Sequence, residues 1–180
     1  MALPVIDKAR YKKRLNWLQG SAVVLLMLSA LLFSNLLVSH YGSDGSNLWL
    51  NATAVLLSVL LLSLIFAVLK HQPWMADIRY IMQLKQRLNR IYRASKTVDA
   101  AVANDQKNGL IVRYFSLHAS KYLYQLEDNT LTLEELQQQI DDLDEQIARL
   151  QLTIGLDDYS DDILQQVLAG GCDSVTKHVE

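Results

Sequence analysis

Two uncharged stretches, 15–39 and 45–69, each run for 25 residues and lie close together near the start of the chain. A helix needs about 20 predominantly apolar residues to cross the hydrocarbon core of a bilayer. Each stretch is therefore long enough to cross with some tilt. A cleaved secretory signal does not fit, because its apolar region runs only about 7–15 residues and a second stretch follows at once. Two buried helices of a soluble domain do not fit either, because no other segment is apolar enough to wrap them. The expectation is a two-helix transmembrane hairpin, with spans at about 15–39 and 48–70 and an outer loop at 40–47.

Charge sets its orientation. Lys8, Arg10, Lys12, Lys13 and Arg14 precede the first stretch, and Lys70, Arg79, Lys85, Arg87 and Arg90 follow the second. The loop between carries no Lys or Arg. Basic residues flanking spans stay on the cytoplasmic side, which places both termini in the cytoplasm. Trp17, Trp49 and Trp74 fall at the stretch ends, where amphipathic rings anchor at the headgroups. The loop, rich in Gly, Ser and Asn, reads as a tight turn.

Residues at matching depth on the two spans are candidates for contact. Asn35 and Asn51 each lie about one turn from the outer end. Ala30 and Ser34 form a small-xxx-small pair, as do Ala54 and Ser58. Small residues let helices approach, and polar ones bond across. These six residues are expected to face each other, the alternative being that each bonds its own backbone.

The second half is expected to be helical. Pro73 starts a helix that the pattern carries to about Asn104. Ile81, Leu84, Leu88, Ile91, Ser95, Val98 and Val102 step by three and four, a heptad seam with one polar member. A polar break at 104–109 precedes an aromatic-rich helix at about 110–126. Thr132 and Glu135 have capping-box spacing. Leu133, Leu136, Ile140, Leu143, Ile147, Leu150 and Ile154 form a second seam, which Gly155 is expected to stop. The fold class is all-α: a membrane hairpin followed by a three-helix region at 73–155, as a monomeric bundle or an intermolecular coiled coil. A basic N-terminus (1–14) and an acidic tail (156–180) complete the chain. In the tail a short helix is expected at about 160–169, ended by Gly170 and Gly171.

Residues 1–126 carry 15 Lys and Arg against 5 Asp and Glu, whereas 127–180 carry 2 against 14. Lys12, Lys13, Arg14, Lys70, Arg79 and Lys85 are the candidates for contact with anionic headgroups, each gaining about 1 kcal/mol near such a surface. Arg93 and Lys96 are expected to pair instead with the acidic segment 141–145. The acidic half argues against nucleic acid. No ionisable residue interrupts either span, which argues against a charge-coupled transporter.

Catalytic chemistry finds no motif. The sequence holds no phosphate-binding loop, dinucleotide fingerprint, nucleophile elbow or zinc-protease pair. His40, His71, His118 and His178 lack ligand spacing, and Cys172 is the only thiol. Asp157, Asp158, Asp161 and Asp162 lack the alternation and central Gly of a calcium loop. No metal, cofactor or catalytic residue is expected.

The segment His71-Gln72-Pro73-Trp74-Met75 and the following Gln83-Leu84-Lys85-Gln86-Arg87-Leu88 resemble a bacterial family of small two-span inner-membrane proteins, catalogued as a domain of unknown function (three-zero-eight-seven). The resemblance implies the architecture and a bacterial inner-membrane location, with no activity attached. The expected function is that of a non-enzymatic, membrane-anchored interaction or scaffold protein, binding a protein partner or itself. An accessory subunit or oligomeric channel is the first alternative. A membrane-bound enzyme without a recognisable motif is the second.

Overall fold

The computed structural model describes residues 3–43, 45–129 and 131–176, and it is all-helical across them. It divides into two units, residues 6–80 and a second formed from residue 81 onward together with the segment around Pro4.

In the first unit, α1 (Lys8–Tyr41) and α2 (Leu48–Leu69) form an antiparallel hairpin. Both are long and apolar enough to cross a membrane. α1 begins seven residues before the uncharged stretch, because the Asp7 carboxylate accepts from the Arg10 N–H and caps it. The connecting turn is closed by a reciprocal pair of bonds between Asn47 and Ser43. Pro73–Met75 form a 3₁₀ turn that leads into α3 (Ala76–Arg93).

The second unit is a bundle around α5 (Lys107–Glu127). One face of α5 packs on α6 (Leu133–Arg149): Leu110 and Leu117 meet Leu136, Ile140, Leu143 and Ile147. Leu150 and Ile154 pack against the same cluster, and Leu133 is half-buried. The second seam is thus occupied within the chain, so its packing is that of a bundle helix. Another face of α5 takes α4 (Ser95–Ala103) and α7 (Asp161–Thr176), through Phe115, Val98, Leu164 and Val167, all almost fully buried. Phe115 stacks on Tyr159 with ring centroids 4.0 Å apart and planes 6° from parallel.

Several expectations need correction. The helix from Pro73 to Asn104 is broken at Ala94, whose φ −94° and ψ 7° leave the helical region and separate α3 from α4. Ile81, Leu84, Ile91 and Val98 are buried on this broken seam, with Leu88 half-buried. Gly109 lies inside α5 rather than in a break. Thr132 makes no side-chain cap bond, so the capping box is not formed. Gly170 and Gly171 do not end α7, which runs to Thr176. Residues 177–180 of the acidic tail lie outside the described residues.

Gly155 does not stop α6. The helix ends at Arg149, and Gln151 takes the left-handed conformation at φ 53°. Its neighbour's N–H (Leu152) then reaches back to the Ile147 carbonyl at 3.1 Å, a Schellman closure. A left-handed residue other than glycine is strained by roughly 1–2 kcal/mol. Gln151 is exposed, so Gln151→Gly removes no packing. After the extra chain entropy of glycine is offset, it is expected to stabilise the bundle by about 0.5–1 kcal/mol. Thermal unfolding of the full chain in mild detergent measures this, and a lowered melting temperature would contradict it.

Candidate functional site

The bundle carries an open groove of about 360 Å³ between the α3–α4 arm and α5. Its origin is in the sequence. On α5, Arg113, Ser116, Ser120, Leu123 and Glu127 recur at three- and four-residue steps and share one helix face. Two of the five are serines. Ser95 faces them from the start of α4. Leu or Ile at these places would fill the space; three hydroxymethyl groups leave it open. Ile91, Val98 and Leu123 supply an apolar floor, and all three are buried.

Charges close the groove at both ends. Lys85 pairs with Glu127 at one end, and Arg113 pairs with Asp99 at 3.3 Å at the other. The distance from Lys85 to Asp99 along the arm is about 20 Å at ~1.5 Å per residue. Tyr92 stands at the rim with 78% of its surface exposed. The groove is therefore long, shallow and amphipathic, with its charges matched to each other rather than converging on one point. None of its residues was singled out by sequence as a groove. Ser95 was legible as the polar member of the seam, and the serines of α5 carried no signal of their own.

The remaining candidates are placed as follows. In the hairpin, Ala54 and Ser58 are fully buried and Ala30 and Ser34 are half-buried. Ser34 Oγ donates to Asn51 Oδ1 at 2.6 Å. Asn35 is exposed, one residue round from the contact, and forms no hydrogen bond with Asn51 among the described residues. Ser58 bonds the Ala54 carbonyl of its own helix. Ser29 was not foreseen; it is 7% exposed and bonds Leu25 and Leu26 carbonyls. Trp17 and Trp49 are exposed, and Trp74 is half-buried.

Of the basic residues expected at headgroups, Arg14, Arg79 and Lys85 are engaged by identified protein groups. Arg14 donates to the Trp74 carbonyl and pairs with Asp77 at 3.4 Å. Arg79 donates to the Lys70 carbonyl, satisfying the last turn of α2. Lys85 belongs to the groove. Lys13 and Lys70 are exposed, and Lys12 is half-buried. Arg93 and Lys96 do not pair with 141–145 among the described residues, because α6 packs along α5 and reaches only the end of α4. There Gln146 donates to the Val102 carbonyl and Arg149 pairs with Asp105. The α3 cations find other acids: Arg90 pairs with Asp161 of α7. His118 stacks on Tyr114 at 4.0 Å within the bundle. Among the described residues no three His, Cys, Asp or Glu come together as a metal site.

Two long apolar helices in a hairpin, followed in the chain by a grooved helical bundle, define an all-helical protein with two candidate membrane spans. The chain belongs to the family described as Protein of unknown function (DUF3087), which matches residues 1–164 and so takes in the hairpin, the groove and the start of α7. No curated protein and no solved structure matches it.

Proposed function

We propose that this is a non-enzymatic, membrane-anchored interaction protein, held by α1 and α2 in the inner membrane of a bacterium with both termini cytoplasmic. The groove then receives an apolar-faced helix of a partner protein. The outward surface of the hairpin carries the reading. Val23, Val24, Met27, Leu28, Leu31 and Leu32 are 52–65% exposed on α1, and Leu56, Leu60, Leu64 and Val68 are 57–69% exposed on α2. A contiguous apolar surface of this kind calls for lipid or for a partner. The charge-poor loop and the basic flanks support the orientation.

For the partner, the groove supports a helix of about three to four turns, judged from its length at ~1.5 Å per residue. Apolar side chains of that helix would meet Ile91, Val98 and Leu123. Its polar flanks would meet the two ion pairs.

The test is purification of the full chain from native membranes in mild detergent, with the intact complex weighed. A stoichiometric second protein is expected, and Ser120→Trp, which fills the groove, is expected to release it. Retention of that protein by the filled groove would refute the docking site. A complex that is a whole multiple of 20.4 kDa would favour an oligomeric channel or self-assembly instead. Release of the protein from membranes by alkaline carbonate would overturn the anchor itself.

A further inference from the structure

We propose that one acidic phospholipid binds specifically at the end of the hairpin where α1 begins, its phosphate against Arg10 and Lys13 and an acyl chain between α1 and α2. The proposal rests on the membrane-anchored reading and deepens it.

Two adjoining spaces carry it. The first is a pocket of about 330 Å³ lined by Arg10, Lys13, Arg14, Trp17 and Trp74. The four α1 residues recur at steps of three, one and three, so they share one helix face. Arg14 is already committed: it holds the Trp74 carbonyl and Asp77, which fixes Trp74 as the opposite wall and offsets one positive charge. Asp7 is committed to the Arg10 backbone N–H as the α1 cap. Arg10 and Lys13 are exposed, and neither side chain forms an ion pair among the described residues. Two cations beside two indole rings suit a phosphate at headgroup depth, because guanidinium and ammonium donate charge-assisted bonds to its oxygens and indole rings settle at that level. The volume lies at the small end for ligand sites, the size of a headgroup rather than of a folded partner.

The second space is a cleft of about 680 Å³ between the two long helices, walled by Leu18, Ala22, Leu25, Leu62, Ile65 and Phe66. Its two hydroxyls are turned away from it. Ser21 Oγ donates to the Leu18 carbonyl at 3.0 Å and Ser63 Oγ to the Val59 carbonyl at 2.8 Å. Gln19 is the one other polar residue of the lining, and the rest of the wall is hydrocarbon, a poor container for water and a good one for an acyl chain. The cleft lies on the α1-start side of the stretch where the small residues Ser29, Ala54 and Ser58 are buried and let the helices approach. Leu18 follows Trp17 directly, so pocket and cleft adjoin along α1. Free phosphate would use only the first space; a phospholipid uses both.

The probe is dioleoyl phosphatidylglycerol, compared with dioleoyl phosphatidylcholine, added to the purified full-length protein in neutral detergent and read by native mass spectrometry. Retention of the acidic lipid is expected to exceed that of the zwitterionic one about tenfold. Arg10→Ala with Lys13→Ala is expected to lower it about tenfold or more, since each basic residue contributes about a fivefold gain at an anionic surface. Lys70→Ala, a cation outside the pocket, is expected to change it little. Ala22→Phe, which fills the cleft, is expected to weaken retention of both lipids. Both substituted cations are exposed and helicity by circular dichroism checks the fold; Lys13→Gln alone is expected to act in the same direction at smaller size. Equal retention of the two lipids, or indifference to the double substitution, would overturn the proposal. So would displacement of the acidic lipid by millimolar inorganic phosphate, which would mark a simple anion site. A dimer whose paired hairpins exclude both lipids would give the cleft to a second copy and overturn it likewise. Resistance to carbonate extraction alongside any of these results would leave the anchor standing while removing the lipid site.

Discussion

Phe115→Ala is expected to cost the bundle about 3–5 kcal/mol, the usual range for deleting a fully buried aromatic ring. Phe115 has no exposed surface, and its ring lies flat against Tyr159. Truncation therefore removes apolar burial, leaves a cavity and takes away the stacking partner of the segment that precedes α7. The loss concentrates on one packing unit, because Leu164 and Val167 dock on the same side of α5. Guanidinium unfolding of the full chain in mild detergent separates the units spectroscopically. All three tryptophans, Trp17, Trp49 and Trp74, belong to the hairpin unit, whereas five of the eight tyrosines, Tyr159 among them, belong to the bundle, so the tyrosine signal is weighted towards the bundle. A tyrosine transition moved by less than 1 kcal/mol would mean that the ring is not a packing centre.

The same contact gives the bundle an alkaline limit. Burial pushes the Tyr159 phenol up from its ordinary value near 10 to about 12, and the carboxylate of Asp161, to which its hydroxyl donates at 3.3 Å, adds to the shift. The folded state thus holds this proton more tightly than the unfolded state does. The stability it contributes is complete below about pH 10 and is lost as pH rises through about 12. Tyr159→Phe keeps the ring stack, and it is expected to flatten that limb of the stability profile.

Periodicity and charge made the large elements legible. Charge-free runs marked α1 and α2. The step of three and four from Leu133 to Ile147 marked the buried face of α6, since that face meets a single neighbour, α5, although the pattern ran on past the end of the helix at Arg149. What stayed hidden depends on contacts between elements. The heptad pattern runs unbroken through Ala94, and only the docking of Val98 and Ala101 in the bundle accompanies the turn there. Thr132 and Glu135 have the spacing of a capping box, yet Thr132 has φ −111° and ψ 5° rather than the extended backbone of a capping residue. Asn35 and Asn51 match in depth but not in azimuth. One residue of rotation, about 100° at 3.6 residues per turn, gives the contact to Ser34. The groove was hidden most thoroughly, because a serine on a helix surface reads the same whether it faces solvent or a concavity. The pocket at the start of α1 was half legible: Arg10, Lys13 and Arg14 stood out as basic residues before a span and Trp17 and Trp74 as rings at the stretch ends, but their meeting in one pocket depends on the 3₁₀ turn that holds Trp74 against α1.

Gly109→Val is expected to destabilise the bundle by about 3 kcal/mol, against the direction that helix propensity alone gives. In an open helix, replacing glycine with another residue gains up to about 1 kcal/mol. At Gly109 the added Cβ would stand 2.6 Å from the Ala101 Cβ, 3.0 Å from the Ala101 carbonyl carbon and 3.1 Å from the Val102 nitrogen. Two of these neighbours are backbone, so α4 as a whole must move away from α5. Overpacking of this kind costs about 1–3 kcal/mol and occasionally more, and the two extra methyl groups of valine place it at the upper end. Gly109→Ala is expected to cost about 1–2 kcal/mol, the clash offset in part by propensity. Ala101→Gly should recover only part of that loss, because it clears the Cβ and leaves both backbone contacts. The double-mutant cycle therefore has a definite sign: Gly109→Ala costs less when residue 101 is glycine than when it is alanine. Strict additivity of the two substitutions, or a Gly109→Ala protein more stable than the parent, would show that α4 and α5 do not approach closely here. Gly109 would then be no more than a tolerated helix breaker.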